Sequence, residues 1–183
     1  MKIGVLSVGN VDAAVLTWIM ENLAQAFPDT SCLVIDENLP LREQAFDEKR
    51  MQYRSHAILH EIKSSTFKNA CVNRVLGIVD ADIFVPELNF VFGEAACPGR
   101  VALISLWRLK PEFYGHVSNM RLFLERTLKE AVHEIGHTLG LMHCLRSSCV
   151  MYFSKSISDT DLKPSLFCGN CYLHAKLSLK EIG

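Results

Sequence analysis

The residues best suited to chemistry stand together in the string His133-Glu134-Ile135-Gly136-His137-Thr138-Leu139-Gly140-Leu141-Met142-His143. Positions four apart on an α-helix share a face, so His133 and His137 project side by side. Their neutral nitrogens can reach one Zn²⁺ at about 2.0–2.1 Å without bending the helix. Glu134 follows the first histidine, where a carboxylate reaches a water on the metal without ligating the metal itself. Gly140 comes three residues after His137, and His143 three after that. Glycine takes the left-handed conformation that ends a helix, so the chain can turn there and return a third imidazole to the same ion. Such an ion activates water and polarises a carbonyl, with Glu134 as general base, which is the chemistry of amide hydrolysis.

A second constellation follows at once. Cys144, Cys149, Cys168 and Cys171 form a Cx4C…CxxC pattern with eighteen residues between the pairs. In a reducing compartment that spacing suits a closed, structural zinc site of four thiolates. The alternatives are two disulfides in an exported protein, or free thiols. A structural zinc would explain how a tail that is rich in Cys and Ser and poor in periodic apolar residues stays folded. The remaining cysteines, Cys32, Cys71 and Cys97, lie in apolar surroundings and read as small buried hydrophobes.

The HExxHxxGxxH string, with Met151 eight residues past His143, resembles the metzincin clan of zinc peptidases, in which a turn methionine passes beneath the metal. Adding Cys144 directly after His143, then Cys149, Cys168 and Cys171, the pattern is similar to the archaemetzincins. The segments Pro86–Ala95 and Pro111–Gly115 resemble that family's upstream blocks. The resemblance spans about Val75 to Leu173, and more weakly the N-terminal strand and helix. It implies a compact metzincin-like fold and two zinc ions per chain, one catalytic (His133, His137, His143) and one structural (Cys144, Cys149, Cys168, Cys171). It also implies a cytoplasmic protein without a pro-segment, from a family found in archaea and vertebrates. Some clan members carry a zinc-reaching tyrosine two residues after the turn methionine. Here that place holds Phe153, and the adjacent Tyr152 is expected to pack.

The elements that must position these residues are legible as alternating strands and helices. Lys2–Val8 and Ser31–Ile35 are strand-like. Ala13–Phe27 is helical behind the candidate caps Asn10 and Asp12, and Pro28-Asp29 ends it. Pro40–Gln44 and Lys110–Gly115 read as loops, and Tyr53–Ile62 as a helix. Val75–Val85 reads as one buried strand interrupted by Asp80 and Asp82. Asn89–Phe92 and Val101–Trp107 read as strands joined by the Gly93–Arg100 turn, a hairpin at a sheet edge that could accept an extended peptide. The longest helix is expected over about 117–139. This order predicts an α+β fold: a mixed twisted sheet with an active-site helix and a small C-terminal zinc-stapled subdomain. The expectation is a single domain over 1–183, divided into an N-terminal part (1–140) and a C-terminal part (141–183).

Composition narrows the partners. The formal net charge of −1 over 183 residues offers no electrostatic footprint for nucleic acid or an anionic membrane. No apolar run approaches the roughly 20 residues of a membrane span, and the N-terminal run reads as a strand instead of an export signal. The motif and the resemblance imply a peptide or protein substrate. The rivals are a zinc-binding protein with weak or no peptidase activity and a three-histidine metal-dependent RNA hydrolase, against which Glu134 argues. Asp80, Asp82 and Glu94 read as solvated or hydrogen-bonded loop carboxylates, with a contribution to a pocket as the alternative, and His56, His60, His116 and His174 have no ligand spacing. Substrate-binding residues and oligomeric state are not legible.

Overall fold

The computed structural model describes residues 1–66 and 72–180. In chain order its strands are β1 (Lys2–Val8), β2 (Ser31–Leu39), β3 (Phe46–Asp47), β4 (Gln52–Arg54), β5 (Arg74–Val79), β6 (Ile83–Phe84), β7 (Gly93–Ala95) and β8 (Val101–Ser105). Its helices are α1 (Ala13–Leu23), α2 (Ser55–Thr66), α3 (Met120–Thr138), α4 (Ile157–Leu162) and α5 (Gly169–Lys180).

The main sheet has the order β2-β1-β5-β8-β7. Its first four strands are parallel, and β7 lies antiparallel on β8 at the edge. Every residue of β8, and every residue of β5 after Arg74, is buried, the signature of strands covered on both faces. One layer is formed by α1 and α3, with Ile19, Leu23, Val132 and Ile135 packing on Ile3, Val5, Ile78 and Ile104. The opposite face is covered by α2 through Ile58, Leu59 and Ile62. A second, three-stranded sheet (β3-β4-β6) closes one end.

Helix ends follow local chemistry. The Asp12 side chain accepts a hydrogen bond from Ala14 N and caps α1. That helix gives way to a 3-10 turn at Ala24, earlier than the periodicity alone suggests. Asn119 caps α3 by accepting from Leu122 N at 3.0 Å, so the long helix starts at Met120. α2 starts at Ser55, because Gln52–Arg54 pairs with β3 and β6 as a strand.

Two expected strands change. Val75–Val85 is two strands in different sheets, β5 and β6, broken at Asp80–Asp82. The break is stabilised by ion pairs: Lys110 Nζ donates to Asp80 at 2.6 and 2.7 Å, and Arg108 grips Asp82 with two bonds of 2.7 Å. The edge strand is Gly93–Ala95, inside the segment expected as the turn, whereas Asn89–Phe92 is irregular. Apolar periodicity marks Phe90 and Phe92 correctly as packed residues, since Phe92 is buried and Phe90 stacks edge-on against it. They pack from a loop, which takes the ladder one step further along.

The C-terminal part joins the main core through Leu141, Cys149, Val150, Met151 and Ala175. Phe167 meets Phe27 edge-to-face at 5.4 Å, Ala175 is fully buried, and Ser178 donates to the Leu139 carbonyl. Polar links join α4 to α3: Arg126, 4% exposed, forms two 2.7 Å bonds to Asp161, and Lys163, fully buried, pairs with Glu130. Among the described residues, no helix is long and apolar enough to cross a membrane.

Candidate active site and metal centres

Helix α3 runs under the edge of the main sheet and ends in a Schellman motif. Gly140, at φ +85°, lets its own N–H bond the His137 carbonyl and the Leu141 N–H bond the Gly136 carbonyl. The reversed chain carries His143 back over the helix. The ring centroids of His133, His137 and His143 lie 4.7–5.3 Å apart, and their ligand atoms all fall within 4.8 Å of one another.

Two of the three imidazoles are oriented by carbonyls. His133 Nδ1 is 2.7 Å from Val150 O, and His137 Nδ1 is 2.7 Å from Leu141 O. A carbonyl only accepts, so each Nδ1 carries the proton and each Nε2 presents a lone pair. Those two Nε2 atoms stand 3.1 Å apart. Two ligands of a tetrahedral Zn²⁺ at ~2.05 Å are about 3.3 Å apart, so the pair fits one ion. Burial pushes the His133 and His137 pKa values down, most strongly for His133, which keeps both rings neutral and able to ligate at neutral pH.

Beneath the histidines runs the turn that contains Met151. Met151 is fully buried, and its Sδ would lie 2.5 Å from a Cβ built on Gly136. Glycine at 136 therefore makes room for the methionine under the site. Cys144 N donates to Met151 O at 2.9 Å, closing the loop that carries His143.

Glu134 is buried beside this triad and against the edge strand. Burial pushes its pKa well up, the Glu130 and Glu94 carboxylates push the same way, and the Lys163 ammonium opposes them. Gly93 of β7 is the neighbour that lets it sit there. A Cβ at 93 would lie 2.6 Å from Glu134 Cγ and 2.7 Å from the Leu103 carbonyl oxygen. Because one of those atoms is backbone, Gly93→Ala is expected to destabilise the protein by about 1–3 kcal/mol and to displace Glu134. Chemical denaturation alongside turnover would measure both effects, and an unchanged midpoint would contradict the contact.

The four C-terminal cysteines also converge. Their sulfurs lie within 4.8 Å of one another, with Cys144 Sγ and Cys168 Sγ 3.9 Å apart. Thiolates on a tetrahedral zinc at ~2.3 Å are about 3.8 Å apart, whereas a disulfide is ~2.05 Å. Cys168 N donates to Cys149 Sγ, and the Cys171 backbone N–H is the main cause that pulls the Cys168 thiol down to about 7. Both clusters thus fit zinc.

The chain matches the model of peptidase family M54 over residues 25–177. It belongs to that family. An archaemetzincin from Methanocaldococcus jannaschii is 41% identical over 172 residues, covering 93% of this chain and 90% of the relative. The solved archaemetzincin of Methanopyrus kandleri superposes with a TM-score of 0.86 at 33% identity, covering 98% of this chain and 96% of that one. A zinc-dependent peptidase from Methanocorpusculum labreanum gives 0.85 at 28% identity, over 94% and 99%. As an M54 member the chain is a zinc metallopeptidase, and its α+β fold is the archaemetzincin fold.

A cleft of about 590 Å³ opens over the histidines of this M54 member. His133, Glu134, His137 and His143 line it, Met151 packs against Gly136 without lining it, the four cysteines form their own cluster, and Asp80 and Asp82 stand apart in their ion pairs. Several residues need correction or addition. Cys97, expected to be buried, is exposed and lines the cleft, its S–H pointing to Leu141 O at 3.7 Å, because the Ala96–Arg100 bend leaves the sheet there. Cys32 is half-buried against the core and its thiol is pushed up to about 11 by burial, while Cys71 lies outside the described residues. Glu94, expected as a solvated or hydrogen-bonded loop carboxylate, lies on β7 and lines the cleft. Its Oε2 is buried without a hydrogen-bond partner among the described residues. Glu130 was missed by the sequence reading, although its spacing offered a signal: it precedes His133 by three and Glu134 by four, on the same helical face. Lys163, which pairs with it, carries no sequence signal.

Proposed function

We propose that the chain hydrolyses peptide bonds at the histidine triad, with Glu134 as general base, and that the four cysteines hold a second, structural zinc. The carrying observation is the convergence of His133, His137 and His143 beside a buried carboxylate in an open cleft. Zinc held by the three imidazoles supplies Lewis acidity and a water nucleophile at neutral pH.

The chain's own residues do the rest. Val150 and Leu141 hold two imidazoles in the tautomer that faces the ion. Glu134, its proton affinity raised by burial and two neighbouring carboxylates, is able to take a proton from the attacking water and return it to the leaving amine. The edge of β7 is open on the side away from β8, so an extended substrate can lie along it by backbone hydrogen bonding. Four thiolates complete a coordination sphere and leave no room for substrate, which is why the cysteine site reads as structural. Glu134 and the open cleft also weigh against a purely structural role for the histidines.

Metal analysis of the purified, reduced protein tests this reading. About two zinc ions per chain are expected, and His137→Ala should lose one of them together with peptide hydrolysis. A His137→Ala protein that keeps the parent's zinc content would remove the triad from the metal.

A further inference from the structure

The stripe of α3 that carries the histidines continues beyond them. Glu130, His133, Glu134 and His137 all line the cleft, spaced as one face of a helix. Glu130 therefore lies one turn, about 5.4 Å, from the catalytic pair. Glu130 is only 3% exposed, yet it lines the cleft. Thr160 Oγ1 donates to Glu130 Oε1 at 3.0 Å, and Lys163 Nζ lies 3.0 Å from the same oxygen. Lys163 also donates to Tyr152 O at 3.4 Å, so the pair ties α3 to the methionine turn. On that turn's continuation Ser154 lines the same cleft, with its Oγ buried and without a hydrogen-bond partner among the described residues. Phe90, Phe92 and Phe153 belong to the apolar lining of the same cleft.

Resting on the peptidase reading, we propose that this floor selects a substrate side chain beside the scissile bond that has an apolar shaft and a hydrogen-bond-donating head, as in glutamine, lysine or arginine. The phenylalanines suit the shaft. An aliphatic tip pressed onto the floor would leave the Ser154 hydroxyl without a partner and the Glu130 carboxylate with Thr160 and Lys163 alone, and a buried polar group left unpaired is costly. A donor supplies the missing partner. Because Lys163 already balances Glu130, the head need not be charged. Glu130, Ser154 and Lys163 are thus specificity-determining, with Lys163 acting through Glu130 as a positioning residue.

The test is a set of peptidyl hydroxamates on the zinc-loaded protein that differ only in the side chain next to the metal-binding group: none, norleucine, glutamine and lysine. Affinities are measured by calorimetry, so the readout needs no turnover. Binding of the glycine compound checks the metal site by itself, and its failure would sink the underlying peptidase reading. With that binding in place, glutamine or lysine should bind at least about tenfold more tightly than norleucine. Norleucine equal or superior would overturn the donor requirement and leave the peptidase reading intact. Glu130→Met combined with Lys163→Met removes both charges together, which avoids leaving a lone buried ion, and should reverse the order in favour of norleucine. Thermal denaturation and zinc content check that this variant folds. Should it not fold, Ser154→Ala in the parent background is expected to lower the glutamine-to-norleucine ratio several-fold, and an unchanged ratio would count against the floor as the selector.

Discussion

Glu134→Ala should keep its zinc and lose its hydrolysis. The carboxylate sits beside the imidazoles, not among them: His133, His137 and His143 converge by themselves, and the carbonyls of Val150 and Leu141 orient two of them without help from position 134. Removing the side chain therefore leaves the metal ligands in place. It also leaves space against Gly93, where the glycine's missing Cβ and the Glu134 side chain now interlock. What disappears is the buried carboxylate that the proposed mechanism uses as proton acceptor. General-base catalysis contributes typically 10²–10⁴-fold, so kcat should fall by about that factor. The substrate contacts along β7 and the cleft floor are untouched, so KM should change little by comparison. Zinc content by mass spectrometry and turnover on a peptide library are the two readouts. A variant with full zinc and parental turnover would mean that the base lies elsewhere, with Glu94 the next carboxylate to test. Loss of zinc would mean that Glu134 supports the ligands instead of the chemistry. Glu134→Gln separates size from charge, since it fills the space against Gly93 but accepts no proton.

How much of this was visible in the chain depends on whether the information was local. The histidine site was, because helical spacing and one glycine suffice to bring three imidazoles together, and both are written within eleven consecutive residues. The cysteine site was half local. Two close pairs announced themselves, but the choice between zinc and disulfides rested on a compartment that the sequence only suggested. The 3.9 Å between Cys144 and Cys168 argues the point from geometry. Strand existence was legible for β1, β5 and β8, whose apolar runs are long and buried on both faces.

The edge strand was misplaced by a few residues for a physical reason. β7 is only Gly93–Ala95, half-buried and without the β-branched residues that mark a strand, whereas the aromatic stretch before it looks more strand-like than it is. Glycine stands at 93 because Glu134 needs the space, and that demand comes from a helix forty residues away. Glu94 was read first as a loop carboxylate because a strand of three residues leaves no mark in the sequence; it lies on β7 and lines the cleft. Lys163 shows the limit most plainly. A lysine at the end of a short helix ordinarily reads as solvated, and only the tertiary structure reveals that it is fully buried on Glu130. Buried ion pairs are long-range objects with no local spacing.

Replacing Cys168 and Cys171 together by serine should damage both metal centres. The direct effect falls on the tail. α5 and the segment before it meet the main core through Phe167, Ala175 and Leu179, with Ser178 bonded to the Leu139 carbonyl, a small apolar contact that the cysteine cluster supplements. Structural zinc binding is worth about 10–16 kcal/mol in small zinc domains, so even partial loss of that linkage should lower the melting temperature by roughly 10 °C or more. The indirect effect follows from sequence adjacency. Cys144 is the next residue after His143, and Cys149 precedes Val150, whose carbonyl orients His133. Cys144 N also donates to Met151 O beneath the triad. Loosening the thiolate cluster therefore loosens two of the three imidazoles, and loss of such orienting contacts typically costs 10–100-fold in metal affinity. The expected result is a protein with one zinc fewer after mild purification, a lowered melting temperature, and a histidine site that surrenders its remaining zinc to chelator at lower concentration than the parent does. A soluble double variant with the parent's melting temperature would end the structural role of the cysteines. One that melts early yet holds its remaining zinc as tightly as the parent would show that the two centres, though joined at His143 and Cys144, are mechanically independent.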